Sequence, residues 1–209
     1  MDALAVSGLT RVSIGVQDFD PAVQQAINRV QSVEETTRVI ERFRHHGVPS
    51  LNIDAIYGLP GQGEREVLHT LCEVVRMRPD RIALFGYAHV PWMKKHQSMI
   101  DDAALAGVVD RHRHAELAAD YLVTEGYERV GIDHFALPHD SMAQAARDGT
   151  LVRNFQGYTV DQADALIGLG ASSIGRLPQG YVQNVPAIAG YQRRVLEGDL
   201  AVERGIALT

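Results

Sequence analysis

Between Thr10 and Gln17 the apolar residues Val12, Ile14 and Val16 alternate with Ser13, Gly15 and Gln17. That period of two predicts a strand. Asp20-Pro21 follows, an N-cap carboxylate with proline at the first helical position, and predicts a helix start. Ser32-Val33-Glu34-Glu35 has the capping-box pattern of a second helix, with Val33, Thr37, Ile40 and Phe43 on its inner stripe and Gly47 at its end. Leu51–Tyr57 predicts the next strand, closed by the breakers Gly58-Leu59-Pro60-Gly61. Val67, Leu68, Leu71, Val74 and Val75 then recur at helical spacing, Pro79 ends that region, and Arg81–Ala88 predicts a third strand. Strands separated by helices of this length predict βαβ units and a parallel sheet.

After His89 the rhythm changes. A loop through Pro91-Trp92 leads to a predicted helix around Arg111–Glu125, stopped by Gly126. A short strand over Arg129–Asp133 and a helix from His139 to Asp148 come next. The remainder carries Gly149, Gly157, Gly168, Gly170, Gly175 and Gly180, reads as turn-rich, and predicts a last helix near Ala187–Leu196. Arg204–Thr209 has no terminating pattern, and no internal repeat or low-complexity tract interrupts the chain.

A chain of 209 residues with 45% apolar and 22% charged residues is ordinary for a globular protein. A formal charge of −6 gives no basic surface for non-specific nucleic-acid binding. Basic residues cluster locally at Arg42–His46 and Lys94–His96, as solvated faces or as anion contacts. No run approaches the roughly 20 apolar residues needed to span a bilayer, and Met1-Asp2-Ala3-Leu4 is not a secretory signal. The single cysteine, Cys72, excludes an internal disulfide and any multi-cysteine metal site made by this chain alone, and fits a reducing cytoplasm. It falls within a helix beside the apolar stripe, where a structural thiol is expected. The nine histidines show no metal-ligand spacing, so no metal site is assigned.

In parallel barrels the working residues sit at the C-terminal ends of strands. Here those ends are Gln17-Asp18, Asp54 with Tyr57, and Phe85 with Tyr87-Ala88-His89. Alternation puts Asn52 and Asp54 on one face of their strand, and a polar pair on a buried strand costs free energy unless satisfied. Two readings follow: a ligand-facing interior, or an internal network of Ser13, Asn52 and Asp54. Asp54 could accept two hydrogen bonds from ribose hydroxyls, Gln17 offers donor and acceptor, and Arg29 could pair a carboxylate. The loop Gly58–Gly63 could cradle an anion, but it lacks the Lys-Ser/Thr of a P-loop and reads better as a close turn.

Five blocks in order carry a resemblance. They are Ser13-Ile14-Gly15-Val16-Gln17-Asp18-Phe19, Asn52–Gln62, Phe85-Gly86-Tyr87-Ala88-His89-Val90-Pro91, Gly131-Ile132-Asp133-His134-Phe135-Ala136 and Arg153-Asn154-Phe155-Gln156-Gly157-Tyr158-Thr159. From Arg11 onward the chain resembles the C-terminal part of the oxygen-independent coproporphyrinogen III oxidases, radical S-adenosylmethionine enzymes of haem biosynthesis. The resemblance implies an α/β fold: the C-terminal part of a partial (β/α)6 TIM-like barrel, followed by a mixed α+β C-terminal region. Residues 1–100 would be the second half of the barrel and residues 101–209 the C-terminal region. It implies oxidative decarboxylation of coproporphyrinogen III to protoporphyrinogen IX, with S-adenosylmethionine, a [4Fe–4S] cluster and an electron donor. The difficult radical step belongs to the cofactor, while the protein orients it.

Residue by residue, the resemblance places Gln17, Arg29, Asp54, Phe85 and the backbone of Ala88 against the cluster-bound S-adenosylmethionine. It places Gln156 and Ile174 against a second S-adenosylmethionine, and it assigns no catalytic side chain. His89 and His134 lie in matched blocks, with substrate or proton handling as their possible roles. The family's C-x3-C-x2-C motif has no counterpart in this chain, so the chain alone is expected to bind no cluster and to be inactive. The related haem-chaperone branch, or a non-catalytic fragment that pairs its open edge with another chain, are the alternatives.

Overall fold

The computed structural model describes residues 8–154 and 157–208. Its first half realises the strand–helix alternation: β1 (Arg11–Gln17), α1 (Pro21–Ala26), α2 (Val33–His45), β2 (Ser50–Tyr57), α3 (Glu64–Arg76) and β3 (Arg81–Gly86). The caps are those the sequence predicts. Asp20 Oδ1 accepts from the amides of Ala22 at 2.9 Å and Val23 at 3.1 Å, and Ser32 with Glu35 closes a full capping box. β3 is shorter than expected because β2, its partner, ends at Tyr57; one further hydrogen bond, Tyr87 N to Tyr57 O at 2.9 Å, is made beyond it.

Next come α4 (Val108–Thr124), β4 (Glu128–Val130) and β5 (His134–Ala136). The single strand expected over Arg129–Asp133 is instead a hairpin, because Gly131 takes a left-handed φ of 65° and turns the chain back. α5 (Ser141–Arg147) is capped by Asp140 and so starts two residues after His139. β6 (Val152–Asn154) and β7 (Gly157–Thr159) form a small antiparallel pair. The sheet order is β1-β2-β3-β5-β4, with β1–β3 parallel and β5 and β4 antiparallel. The sheet is open, with β1 at one edge.

Parity along the strands divides the two faces. Leu51, Ile53, Ala55, Ile82, Leu84 and Phe135 pack under Ile40, Leu71, Val74 and Leu122 of the helices. Burial of each of the larger side chains stabilises by roughly 1.5–3 kcal/mol, and that of Ala55 by less. On the other face, Val130 and Ala136 pack with Met142 and Ala143 of α5, so that end is covered too. The part of the same face over β1 and β2 carries Ser13, Asn52 and Asp54.

Contacts divide the chain after Val160, whereas the sequence rhythm changes after His89 and the resemblance implies a boundary at residue 100. The five-stranded sheet continues through β5 and β4, which holds the intervening residues in the first unit. The second unit, from Asp161 onward, holds β8 (Ile174–Leu177), β9 (Gly180–Asn184), α6 (Ile188–Leu196) and β10 (Val202–Ala207), with sheet order β10-β9-β8. Its glycine-rich sequence reads as turns, yet Gly175 and Gly205 lie in strands where backbone approaches closely. Inside it, Leu166, Leu177, Val182, Tyr191 and Leu200 line an apolar cavity of about 370 Å³. No helix among the described residues is long and apolar enough to cross a membrane.

One buried ion pair fastens α5 to the sheet. Arg81 Nε donates to Asp140 Oδ1 at 2.7 Å, its Nη2 donates to Ser141 Oγ at 3.0 Å, and the same carboxylate caps α5 through Met142 N at 2.7 Å. Removing one partner of a buried pair leaves the other charge unpaired. Asp140→Ala is therefore expected to cost about 3–5 kcal/mol, read from the midpoint of urea unfolding; a loss below about 1 kcal/mol would show that the pair holds nothing.

Candidate functional site

The C-terminal ends of β1, β2 and β3 open at one end of the sheet, and the loops that follow are tied to one another. Gln17 stands in a left-handed conformation with φ 68°, at a register shift after Gly15. Positive φ is uncommon outside glycine and costs on the order of 1 kcal/mol or more, so surrounding contacts must hold it. Those contacts centre on Asp18, which is fully buried. Its carboxylate accepts from Asp20 N at 2.6 Å and Gln62 Nε2 at 2.5 Å, while its carbonyl accepts from Gln24 Nε2 at 2.8 Å.

Gln62 also explains the glycine-rich loop. Its Nε2 donates to Ile56 O at 2.9 Å and its Oε1 accepts from Leu59 N at 3.1 Å. Gly61 N donates to Ala104 O, Gln62 N to Leu59 O and Gly63 N to Glu66 Oε2. With these amides spent internally, the loop is a close turn and not an anion cradle.

Three of the sequence-designated residues meet at one place. Arg29 Nη2 donates to Gly15 O at 2.7 Å, and a Cβ at Gly15 would stand 2.7 Å from Gln17 Nε2 and 3.2 Å from Arg29 Nη2. Gly15 pairs in register with Asp54 on the adjacent strand. Asp54 accepts from Ser13 Oγ at 3.0 Å and Asn52 Nδ2 at 2.6 Å, and Asn52 Nδ2 also reaches Ser13 Oγ at 2.8 Å. The network that the alternation allowed is thus formed, and it lies on the open face. A carboxylate has about four acceptor positions, so Asp54 retains capacity for a ligand's hydroxyls. The Oδ1 of Asn52 is buried without a partner, a cost on the order of 1–3 kcal/mol that structural side chains rarely carry.

Phe85 lies one strand further along, 39% exposed, and meets His134 edge-on at 6.0 Å between ring centroids. His134 in turn meets Tyr158 at 5.7 Å and holds Asp133 Oδ1 through Nδ1 at 2.6 Å. Ala88 is exposed just past β3, its carbonyl accepting from Gln97 Nε2 at 3.0 Å. Ile174 lies in β8, in the second unit, and Phe155 and Gln156 lie outside the described residues.

Three positioning contacts escape sequence reasoning. Arg111 from α4 donates to Tyr87 O at 2.6 Å and crosses Gly58 and Gly86, where a Cβ would meet its side chain at 3.2 and 3.0 Å. Gln97 clamps the loop after β3 through Ala88 O and Val90 N. His89 joins Tyr87 to Asp102, with Nδ1 3.3 Å from the phenol and Nε2 2.9 Å from Asp102 Oδ1. Burial, with Asp102 adding to it, pushes the Tyr87 phenol up. Gly86 inside a strand is the one local signal; Gln97 and Arg111 give none, because their partners are distant in sequence.

A radical SAM superfamily model matches residues 1–72. An oxygen-independent coproporphyrinogen III oxidase of Paracoccus denitrificans is 50% identical over 209 residues, which is all of this chain and 46% of that protein. An anaerobic coproporphyrinogen III oxidase of Cereibacter sphaeroides is 51% identical over 99% of this chain and 46% of its own length. The solved coproporphyrinogen III oxidase of Escherichia coli, described as a radical SAM enzyme, superposes with a TM-score of 0.89 at 40% identity, covering 100% of this chain and 48% of that one. Over its whole length this chain is a homologue of the oxygen-independent coproporphyrinogen III oxidases. It spans about half the length of the curated relatives it matches. The likeness bears out the α/β radical SAM fold, and the family is one of enzymes.

Burial holds the Asp18 carboxyl above its ordinary value of 3.8, against hydrogen bonds from Asp20, Gln62 and Thr70 that pull it down. A carboxyl whose pKa rises on folding binds its proton more tightly in the folded state. The stability it contributes is present in acid, below the ordinary value, and is lost as pH rises through the folded value. Asp18→Asn removes this dependence. Urea unfolding from about pH 3 to about pH 7 should therefore show the wild type losing ground to the variant as pH rises; a constant difference contradicts the assignment.

Proposed function

We propose that this chain forms the strand-end S-adenosylmethionine contacts and part of the porphyrinogen-handling region of an oxygen-independent coproporphyrinogen III oxidase of haem biosynthesis. The observation that carries the reading is the open polar face where Gln17 and Arg29 converge over Gly15, with Asp54 in register beside them. The family name of the relatives supplies the substrate, coproporphyrinogen III. Cytoplasmic placement and a separate electron donor complete the reading.

The residues present fit S-adenosylmethionine. Asp54 takes the ribose hydroxyls, Arg29 the carboxylate, and Gln17 a further polar edge, while Phe85 offers an apolar ring. The backbone of Ala88 is held in place by Gln97, which donates to its carbonyl, and Arg111 holds the preceding residue through Tyr87 O. For Gln156 and Ile174 the family resemblance alone suggests contact with a second S-adenosylmethionine. When bound, the cofactor supplies radical chemistry at a propionate side chain, and these residues bind and orient it. The chain's own residues do not fit the [4Fe–4S] cluster. Its one cysteine, Cys72, lies half-buried within α3, and among the described residues no three His, Cys, Asp or Glu side chains are grouped to hold a metal.

Equilibrium dialysis with labelled S-adenosylmethionine tests the reading. Saturable binding is expected, weakened about tenfold in Asp54→Asn, the equivalent of about 1.4 kcal/mol. Absence of binding, or binding indifferent to both Asp54→Asn and Gln17→Ala, removes the support. Anaerobic reconstitution of the same 209 residues should leave no stoichiometric iron and sulfide on the protein, measured colorimetrically. Stoichiometric retention would refute the statement about the cluster.

A further inference from the structure

The loop after β3 combines features that neither the fold nor the strand-end contacts require. Trp92, Met93 and Met99 are 76%, 72% and 81% exposed, and Lys94, Lys95 and His96 stand exposed between them. Exposed large apolar side chains grouped together mark binding surfaces more often than isolated ones. The loop is nevertheless built firmly. Met93 N and Lys94 N both donate to Val90 O at 2.9 Å, and buried Gln97 ties the turn to the end of β3 through Val90 N and Ala88 O.

The neighbouring acids are committed elsewhere. Asp102 holds His89 Nε2 at 2.9 Å, and Asp101 caps its own turn through Ala103 N at 3.0 Å. Among the described residues, neither lysine has an acidic partner. The loop thus offers an indole and two thioethers interleaved with uncompensated cations, at the end of the sheet where the ligand-facing residues lie. Aromatic and methionine side chains give adaptable apolar contact, and lysines give charge on flexible stems.

Resting on the function proposed above, we infer that the Trp92–Met99 loop docks the tetrapyrrole substrate, its apolar side chains against the macrocycle and Lys94 and Lys95 against peripheral propionates. An apolar ring system bearing four carboxylates is complementary to this pattern in both respects. A strongly basic nucleic-acid surface would lack the apolar half, and a core segment would lack the cations.

Trp92 is the chain's one tryptophan and therefore reports on this loop. Titration of the chain with coproporphyrin III, and anaerobically with coproporphyrinogen III, is expected to quench Trp92 emission saturably. Lys94→Gln/Lys95→Gln should raise Kd about tenfold and flatten its salt dependence, since each exposed pair contributes a few-fold. Coproporphyrin tetramethyl ester, which lacks the charges, should show the same loss on the wild type. Trp92→Ala, followed by porphyrin absorbance, should weaken binding by about tenfold. Porphyrin binding with unchanged Trp92 emission and unchanged Kd in the double variant would overturn the docking loop while leaving the substrate reading intact. Absence of binding by either tetrapyrrole would overturn both. Because both lysines are exposed and have no acidic partner among the described residues, their replacement is expected to leave the fold undisturbed.

Discussion

The parity of β2 is the constraint on which the rest of the molecule depends. Leu51, Ile53 and Ala55 point into the helical layer, so Asn52 and Asp54 must point the other way. A one-residue slip against β1 or β3 would bury a carboxylate among Ile40, Leu71 and Val74 and expose three apolar side chains. The register Gly15↔Asp54↔Ala83 is therefore strongly specified. The absence of a side chain at Gly15 lets Gln17 Nε2 and Arg29 Nη2 close over the backbone of β1, beside the strand position that pairs with Asp54. The apolar packing of one face in this way sets the chemistry of the other.

Around that face the loops are held by buried polar side chains instead of by secondary structure. Asp18 and Gln62 lock the ends of β1 and β2 together, and Gln97 and Arg111 do the same for β3. Fully satisfied polar networks of this kind rigidify what they hold, and a precise binding site needs that rigidity. The positive φ of Gln17 is sustained in the same way: the buried Asp18 carboxylate fixes the chain immediately beyond it. The exposed Trp92–Met99 loop then hangs from a rigid anchor.

Much of the first half was legible because its elements are local. Asp20-Pro21, the Ser32–Glu35 box and the period-two runs of β1 and β2 each act within a few residues of themselves, and the structure reproduces them. The β4–β5 hairpin and the strands after Gly149 were not legible. Three-residue strands have too few positions to display a period, and their pairing partners supply most of the signal.

By itself the sequence determined the parallel α/β start, the polar strand ends at Gln17 and Asp54, the family blocks, and the lack of a cysteine set for a cluster within these residues. Only the tertiary structure decided that Asp54 shares its carboxylate with Ser13 and Asn52, that Gln62 turns the glycine loop inward, and that Arg111 and Gln97 hold the third strand end. The reason is physical. Alternation and capping are short-range properties of the chain, whereas hydrogen bonds between residues tens of positions apart exist only once burial has brought their partners together.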